Sequence, residues 1–560
     1  MNLKKTILLL IAIATISMTL QGCTAEWEKM PAFVSKVGAK AEPMQTGKFQ
    51  PTWESLKHYQ TPEWYQDAKF GIWAHWGPQC QPERGDWYAR GMYEEGRDQY
   101  KFHLATYGHP SKFGFKDVIH QWKAENWNPE KLMALYKRAG AQYFVALANH
   151  HDNFDNYDSK YQPWNAVNLG PKKDLIAGWA RAARDNGLRF GVSVHASRAW
   201  SWYEVAQGAD KTGEYAGVPY DGKLTKADGK GQWWEGFDPQ GLYAQNHVPG
   251  RKLQWEWDAA KGSSVPDAAY CEKLYNRTVD LINKYQPDLI YFDDTILPLY
   301  PVSDAGLKIA AHYYNSNMKW HNGKLEGVLN GKVLSPEQRQ CMVWDIERGQ
   351  SNQIEPLPWQ TDTCIGSWHY DRRIFENHRY KSAKTVVHTL ADIVSKNGNL
   401  LLSIPVRSDG TIDSDEEKIL EGIASWMDVN KESIFGTRPW KVFGEGPASA
   451  NAAPIKAQGF NEGKGKPFTA EDVRFTLRPG SGQAAKGDVL YAIALGQPTK
   501  PLQIKSLGTD AKLLNKTIAD IQLLGSDEKI QWSRTGQFLT IETPKNKPCD
   551  YAIVFKITTQ

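Results

Sequence analysis

The chain has 560 residues, with 67 Lys and Arg against 63 Asp and Glu, so its formal charge of +4 is nearly balanced. The basic residues are dispersed, which argues against a nucleic-acid partner held by bulk charge. Its six cysteines are widely scattered and show no CxxC spacing. This pattern indicates neither a disulfide framework nor a zinc ribbon.

The first 23 residues have the features of a secretion signal, with Lys4 and Lys5 before an apolar stretch and LQG before Cys23. Bacterial lipoprotein signals have this pattern. We therefore predict a signal peptide over residues 1–23 and a lipid anchor at Cys23 as the only membrane contact. The protein would then be secreted, periplasmic or anchored to the outer membrane of a bacterium, and ordinary cleavage to a periplasmic protein is the alternative. Residues 24–54 are predicted to be a linker.

Apolar runs of strand character alternate with amphipathic helices between about residues 60 and 435. Helices are predicted at 128–140, 172–187 and 267–286. The predicted strands are 70–76, 143–152, 190–196, 288–294, 341–347 and 399–405. No Gly-rich dinucleotide fingerprint follows any of these strands, so we predict an α/β fold, a (β/α)8 TIM-like barrel over residues 55–435, without a cofactor.

The character of the sequence changes after GTRPW at 436–440. Short strand-like runs separated by Gly, Pro, Asn and Asp predict an antiparallel β-sandwich over residues 436–560. Within the barrel, the Gly-rich stretch 204–262 is longer than a connection requires. Loops of that size usually have a functional role, as a lid or as part of a binding site.

Ionisable residues end several predicted strands: His75, His150, His151, Asp152, His195, Asp293 and Glu347. In a (β/α)8 barrel these ends converge on one face, so five segments would supply one pocket. Taken singly, a histidine is more often a hydrogen-bonded core or surface residue. A zinc site in the His-His-Asp run is disfavoured, because adjacent strand residues point to opposite faces. The same alternation predicts that Asp293 and Asp294 point apart, so we predict one reactive carboxylate and no metal.

Four ordered segments, at 62–77, 140–154, 287–294 and 396–440, resemble signature segments of glycoside hydrolase family 29, the α-L-fucosidases. The resemblance spans about residues 55 to 440, and the tail resembles that family's C-terminal β-sandwich. It implies a retaining exo-glycosidase that hydrolyses terminal α-L-fucosyl residues of glycans or polysaccharides. Many of the 23 tryptophans lie in polar, Gly-rich surroundings, which suits a carbohydrate partner.

The resemblance implies that Asp293, at the end of barrel strand four, is the nucleophile. A retaining glycosidase also needs an acid/base carboxyl group about 5 to 5.5 Å away. We predict Glu347 for this role, because it ends a strand-like run and precedes the family-like segment 358–370. Glu355 and Asp362 are the alternatives.

By the same resemblance, His75, His150 and His151 are expected to hydrogen-bond fucose hydroxyls. Trp87 is expected in the pocket, next to Asp86, where the family often has a glutamate.

Two departures from the family concern the wall near C5 of the sugar. Tyr291 stands where the family usually has a tryptophan, and Ser193 and His195 bring polarity to a strand that is often aromatic. We therefore expect Tyr291 and His195 to contact the substrate. The extra polarity makes an α-L-galactosidase, acting on terminal α-L-galactose of algal-type galactans, the alternative function. A catalytically inactive glycan-binding homologue is the alternative from another class.

Overall fold

The computed structural model describes residues 31–243, 257, 264–449, 460–480 and 488–560. The predicted signal peptide and Cys23 lie outside these residues. Within the predicted linker, residues 31–52 lie against the barrel, with Val37 and Phe49 buried and Ser35 bridged to Ser303. The predicted domain boundaries stay predictions.

Eight parallel strands close into a barrel in chain order, and β1 also pairs with β8. The strands are β1 Phe70–Ala74, β2 Tyr143–Asn149, β3 Arg189–Val194, β4 Leu289–Phe292, β5 Val328–Gly331, β6 Val343–Glu347, β7 Trp359–Cys364 and β8 Gly398–Ser403. This confirms the predicted barrel. Nearly every strand residue is buried. The inner face of a closed parallel sheet packs against other strand side chains, and its outer face is covered by helices.

The helices are α1 Trp53–Leu56, α2 Glu63–Ala68, α3 Tyr88–Gly91, α4 Asp98–Tyr107, α5 Phe115–Gln121, α6 Pro129–Arg138, α7 Leu175–Asp185, α8 Ala199–Trp202, α9 Pro239–Tyr243, α10 Ala268–Tyr285, α11 Ala305–Trp320, α12 Arg372–Glu376, α13 Ala383–Ser395 and α14 Ser414–Asn430. Local sequence sets their starts: the Asn128 side chain accepts from the Lys131 amide at 2.8 Å, and Pro129 occupies the first turn of α6. Of the helices in the described ranges, none has the length and apolarity needed to cross a bilayer.

Strands β5 and β7 were missed by the sequence prediction. The described chain contains no α-helix between β5 and β6 or between β6 and β7. The alternation of strand and helix that guided the prediction is therefore interrupted at both places.

The C-terminal region forms two antiparallel sheets, as predicted. Their strands are β9 Arg438–Glu445, β10 Val473–Arg478, β11 Val489–Ala494, β12 Leu502–Ile504, β13 Ile518–Leu523, β14 Trp532–Arg534, β15 Leu539–Ile541 and β16 Ile553–Thr559. One sheet has the order β13-β16-β11-β10-β9 and the other β12-β15-β14. Phe475, Ile504 and Leu539 belong to the apolar core of this region.

Residues 204–243 of the long insertion are held to the connection between β1 and β2 by buried carboxylates. The hydroxyls of Tyr93 and Tyr243 donate to Asp221 at 2.6 and 2.5 Å. Asp210 accepts from the hydroxyls of Tyr100 and Tyr220. The role of this insertion as a lid or binding loop stays a prediction.

Candidate active site

A cavity of about 430 Å³ opens at the C-terminal ends of the barrel strands. The eight residues predicted for the site all line it: His75, Trp87, His150, His151, His195, Tyr291, Asp293 and Glu347. They come from the ends of β1, β2, β3, β4 and β6 and from the loop before α3. The barrel thus brings five distant segments together, as the convergence of strand ends predicts.

Asp293 directly follows β4 and lies among three cationic or proton-donating side chains. Its Oδ2 is 2.9 Å from Nδ1 of His195 and 3.2 Å from Nε2 of His151. Its Oδ1 contacts the Lys332 ammonium. Burial raises the pKa of Asp293, but Lys332 and the two histidines outweigh it and hold this pKa well below its ordinary value of 3.8. Asp293 is therefore ionised at neutral pH.

Asp294 also lines the cavity, but its carboxylate has different partners from that of Asp293. Its Oδ1 is 2.7 Å from Nη2 of Arg198, and its Oδ2 accepts from the Ser197 hydroxyl. Both charged side chains are almost fully buried. The neighbouring carboxylate thus fixes the loop after β3 to the end of β4.

Glu347 ends β6 and contacts the same cation as Asp293. Its Oε2 lies 2.5 Å from Nζ of Lys332. Because both carboxylates contact one nitrogen, they lie close together. This is compatible with retaining glycosidases, in which the two catalytic carboxyl groups are about 5 to 5.5 Å apart. Burial raises the pKa of Glu347 to about 7, with Lys332 opposing the rise and Asp362 and Asp293 adding to it. A large fraction of Glu347 is therefore protonated at neutral pH, as a general acid requires.

The two alternatives to Glu347 lie in different surroundings. Asp362, within β7, lines the cavity but is buried, and its Oδ2 accepts from the Tyr291 hydroxyl at 3.1 Å. Burial and the neighbouring Asp293 raise the pKa of Asp362. Glu355 does not line this cavity. It accepts from Ser351 at 2.5 Å in the connection between β6 and β7.

The histidines offer polar atoms to the cavity. Burial lowers the pKa of His195 to about 4, so its ring is neutral, Nδ1 donates to Asp293 and Nε2 is left as an acceptor. That Nε2 and both ring nitrogens of His75 have no hydrogen-bond partner among the described residues. His150 is positioned by Gln79, whose Nε2 lies 2.8 Å from its Nδ1. Buried polar atoms without partners are unusual, and here a bound ligand would supply the partners.

Several residues of the site were not predicted. Lys332 directly follows β5, and Trp73, Trp368 and His369 pack around His75 with ring centroids 4.7 to 5.5 Å from its own. The Nδ1 of His369 is 2.6 Å from Oδ1 of Asp86. The signal that would have revealed Lys332 is the count of strands: an eight-stranded barrel requires two further strands between residues 294 and 399.

Two sets of side chains bring potential metal ligands within 4.8 Å of one another: His75, Asp86, His150 and His369, and His150, His151 and His195. In the second set, His151 and His195 already contact the Asp293 carboxylate. The absence of a metal stays a prediction.

A parallel eight-stranded barrel whose cavity holds two close carboxylates suits a glycoside hydrolase. The family model described as Alpha-L-fucosidase matches residues 37–432, and the model described as Alpha-L-fucosidase C-terminal domain matches residues 466–558. The chain therefore belongs to the α-L-fucosidase family, glycoside hydrolase family 29.

Characterised relatives share modest identity over most of the chain. The human tissue alpha-L-fucosidase is 24% identical over 534 residues, covering 91% of this chain and 92% of its own. The bovine tissue alpha-L-fucosidase is 26% identical, covering 71% and 74%. The crystal structure of Thermotoga maritima alpha-fucosidase in complex with fucose has a TM-score of 0.64 at 23% identity, covering 91% of this chain and 100% of that one. That likeness shows a common fold.

Proposed function

We propose that this protein is a retaining exo-α-L-fucosidase. The observation that supports this best is the contact of both Asp293 and Glu347 with Lys332, which brings together the two carboxyl groups that a double displacement needs. The relatives named above carry the same activity in their names. The presence of both carboxylates argues against the inactive glycan-binding alternative.

In the first step, the ionised Asp293 attacks the anomeric carbon while the glycosidic C–O bond breaks. Glu347 gives its proton to the leaving oxygen, so the products are a fucosyl ester of Asp293 and an ionised Glu347. In the second step, Glu347 takes a proton from water and the water oxygen attacks the anomeric carbon. The ester bond breaks, Asp293 is ionised again, and fucose leaves with its original configuration.

The cavity suits a single terminal sugar. Its volume of about 430 Å³ is near the lower end of ligand pockets, and its floor carries the polar atoms of His75, His150 and His195. Trp73 and Trp368 supply aromatic surface beside them. We infer that the histidines bind sugar hydroxyls and that the aromatic rings pack on the apolar side of fucose.

The choice between L-fucose and L-galactose rests on the wall near Tyr291. The hydroxyl of Tyr291 donates to Asp362, and Ser193 is fully buried and does not line the described cavity. The galactosidase alternative depended on three polar groups. Of these, the Tyr291 hydroxyl is already hydrogen-bonded within the protein, and Ser193 does not reach the cavity. We therefore propose fucose as the substrate, with the L-galactoside as the comparison in the assays.

Replacing Asp293 tests the nucleophile. The variant Asp293→Ala should lose at least about 10³-fold in kcat on 4-nitrophenyl α-L-fucoside, because the covalent step is removed. Azide added to this variant should yield the fucosyl azide of inverted configuration, which NMR identifies. Near-normal hydrolysis by the variant would contradict the proposal, and so would faster cleavage of the L-galactoside by the unmodified protein.

Replacing Glu347 and Asp362 in parallel tests the acid/base. Loss of the acid should slow fucosides of poor leaving groups by about 10² to 10⁴-fold, and activated aryl fucosides far less. We expect this pattern from Glu347→Gln, with azide yielding the fucosyl azide of retained configuration. If Asp362→Asn shows the pattern and Glu347→Gln does not, the acid/base is Asp362.

We also propose that the chain is a bacterial lipoprotein anchored at Cys23 in the periplasm or outer membrane. The sequence of residues 1–23 supports this. The measurement is the mass of the mature N-terminus, which should show a lipidated Cys23. The variant Cys23→Ser should release the protein from the membrane fraction.

We propose in addition that the chain has a catalytic domain over residues 55–435 and a C-terminal domain over residues 436–560. Limited proteolysis between them would test this boundary.

A further inference from the structure

A second cavity of about 540 Å³ adjoins the active-site cavity. Asp86, Trp368 and Phe460 line both of them. A group attached to a sugar in the first cavity would therefore pass these three side chains to reach the second.

The proposed role of Glu347 indicates that the second cavity lies on the leaving-group side. In the proposed reaction Glu347 protonates the leaving oxygen, so the aglycone must extend past Glu347. The next residue, Arg348, lines the second cavity. Its left-handed backbone, with φ of 43°, is uncommon for a residue other than glycine.

The lining of the second cavity carries an excess of positive charge. Three arginines, Arg348, Arg373 and Arg379, line it against two carboxylates, Asp86 and Asp371. Asp371 accepts from Arg373 at 2.8 Å, so part of the charge is matched within the protein.

Two of the arginines form no ion pair within the described part of the chain. Arg348 donates from Nη2 to the Gly366 carbonyl at 3.2 Å, and its buried Nε has no hydrogen-bond partner there. Arg379 donates from Nη2 to the Arg373 carbonyl at 3.4 Å and is otherwise exposed. Guanidinium groups with free donors bind carboxylates and sulfates in a forked geometry.

Aromatic surface lies beside these charges. The Arg348 guanidinium lies 5.1 Å from the Trp368 ring centroid, and Phe460 is 58% exposed at the border of the two cavities. An exposed large apolar side chain next to a cleft is typical of a binding surface. A sugar ring could pack on these rings while its substituent reaches the arginines.

We propose that the second cavity is an aglycone subsite for a sugar with an anionic substituent, a sulfate ester or a carboxylate, held by Arg348 and Arg379. This inference rests on the proposed fucosidase activity. It names the class of substrate: fucosyl residues linked to acidic saccharides.

The test compares three α-L-fucosyl disaccharides of one linkage, whose reducing sugar is galactose, a galactose sulfate or galacturonic acid. The protein should cleave at least one acidic disaccharide with kcat/KM about tenfold above the neutral one, since one or two charge-assisted hydrogen bonds are gained. The sulfate and uronate arms identify which anion is preferred. Added salt should reduce the advantage.

The variant Arg379→Gln should lower the acidic-to-neutral ratio of kcat/KM several-fold, because it removes an exposed cation without disturbing the core. Arg348→Gln should lower it further. The control Arg181→Gln changes an arginine of similar exposure on α7 and should leave the ratio unchanged.

The outcomes separate this inference from the proposed function. Hydrolysis of the neutral disaccharide and of 4-nitrophenyl α-L-fucoside, without an acidic preference, would overturn the subsite and leave the fucosidase intact. The same holds if the preference persists in both arginine variants. Failure to cleave any of the fucosides would overturn the proposed function and the subsite together.

Discussion

Lys332 faces one negative charge in each state of the proposed reaction cycle. Before the attack Asp293 is ionised and Glu347 is protonated. In the covalent intermediate Asp293 is an uncharged ester and Glu347 is ionised. Since Nζ of Lys332 contacts both carboxylates, the cation can stay in place while the charge moves from one to the other. An arrangement that needs no reorganisation is one that favours catalysis.

The pH dependence of catalysis should reveal the effect of the Lys332 charge on the two carboxyl groups. Activity requires ionised Asp293 and protonated Glu347, so kcat/KM should fall as pH rises through the pKa of Glu347, about 7. Lys332 favours the ionised form of both groups, so Lys332→Met should raise both pKa values. We expect the acid and the alkaline limbs to move to higher pH, with kcat reduced about 10²-fold.

The control for this measurement is Lys418→Met, which removes an exposed cation from α14. Its profile should coincide with that of the unmodified protein. Limbs at unchanged pH in Lys332→Met would contradict the proposed role of the lysine.

At the scale of single elements, the sequence predicted the strands that have an apolar pattern and missed one that does not. β7 reads WQTDTC, and its polar residues Gln360 and Asp362 face other barrel side chains. The hydroxyl of Tyr65 donates to Gln360 Oε1 at 2.9 Å, and Gln360 donates to Asp345 at 2.7 Å. Hydrophobic periodicity cannot reveal a buried strand whose side chains satisfy one another by hydrogen bonds.

β5 was missed for a different reason. It has four residues, VLNG, and its Asn-Gly ending is typical of a turn. Lys332 follows it, so missing the strand also meant missing the cation of the site. The predicted site residues lie at the ends of strands that have an apolar pattern or, like Trp87, in segments that resemble the family.

Of the two adjacent aspartates after β4, Asp294 should matter for stability and Asp293 for turnover. Asp294→Ala removes a carboxylate that contacts the buried Arg198, and breaking this buried ion pair should cost about 3 to 5 kcal/mol of stability. The thermal unfolding temperature should fall by several degrees, while the folded protein retains measurable turnover. Asp293→Ala should instead lose turnover, because it removes the proposed nucleophile.

The matched control is Asp428→Ala, which removes one of two exposed partners of Arg138 and should change the unfolding temperature little. An Asp294→Ala protein as stable as the unmodified one would contradict the anchoring role.

At the scale of the whole molecule, the barrel and the C-terminal sheets share buried polar contacts. Arg474, on β10, contacts Asp392 of α13 with Nε 2.6 Å from Oδ1, and Lys396 contacts the other oxygen at 2.7 Å. Trp426 of α14 donates to the Ala552 carbonyl at 2.8 Å. α13 and α14 thus serve as barrel helices on one side and as support for the sheets on the other.

The buried charges at this interface predict a coupled unfolding of the two regions. Although burial raises the pKa of Asp392, Lys396 and Arg474 hold it below 3.8, so the carboxylate is ionised at neutral pH. Arg474→Met should cost about 3 kcal/mol at pH 7 and separate one calorimetric transition into two. The contribution of a carboxylate with a lowered pKa is lost as pH falls through that folded-state value. The stabilities of the variant and the unmodified protein should therefore converge in strong acid.

The control is Lys500→Met, which breaks an exposed pair with Glu471 in the same region and should cost less than about 1 kcal/mol. A single transition at the unmodified temperature in Arg474→Met would show that the interface does not depend on this charge cluster.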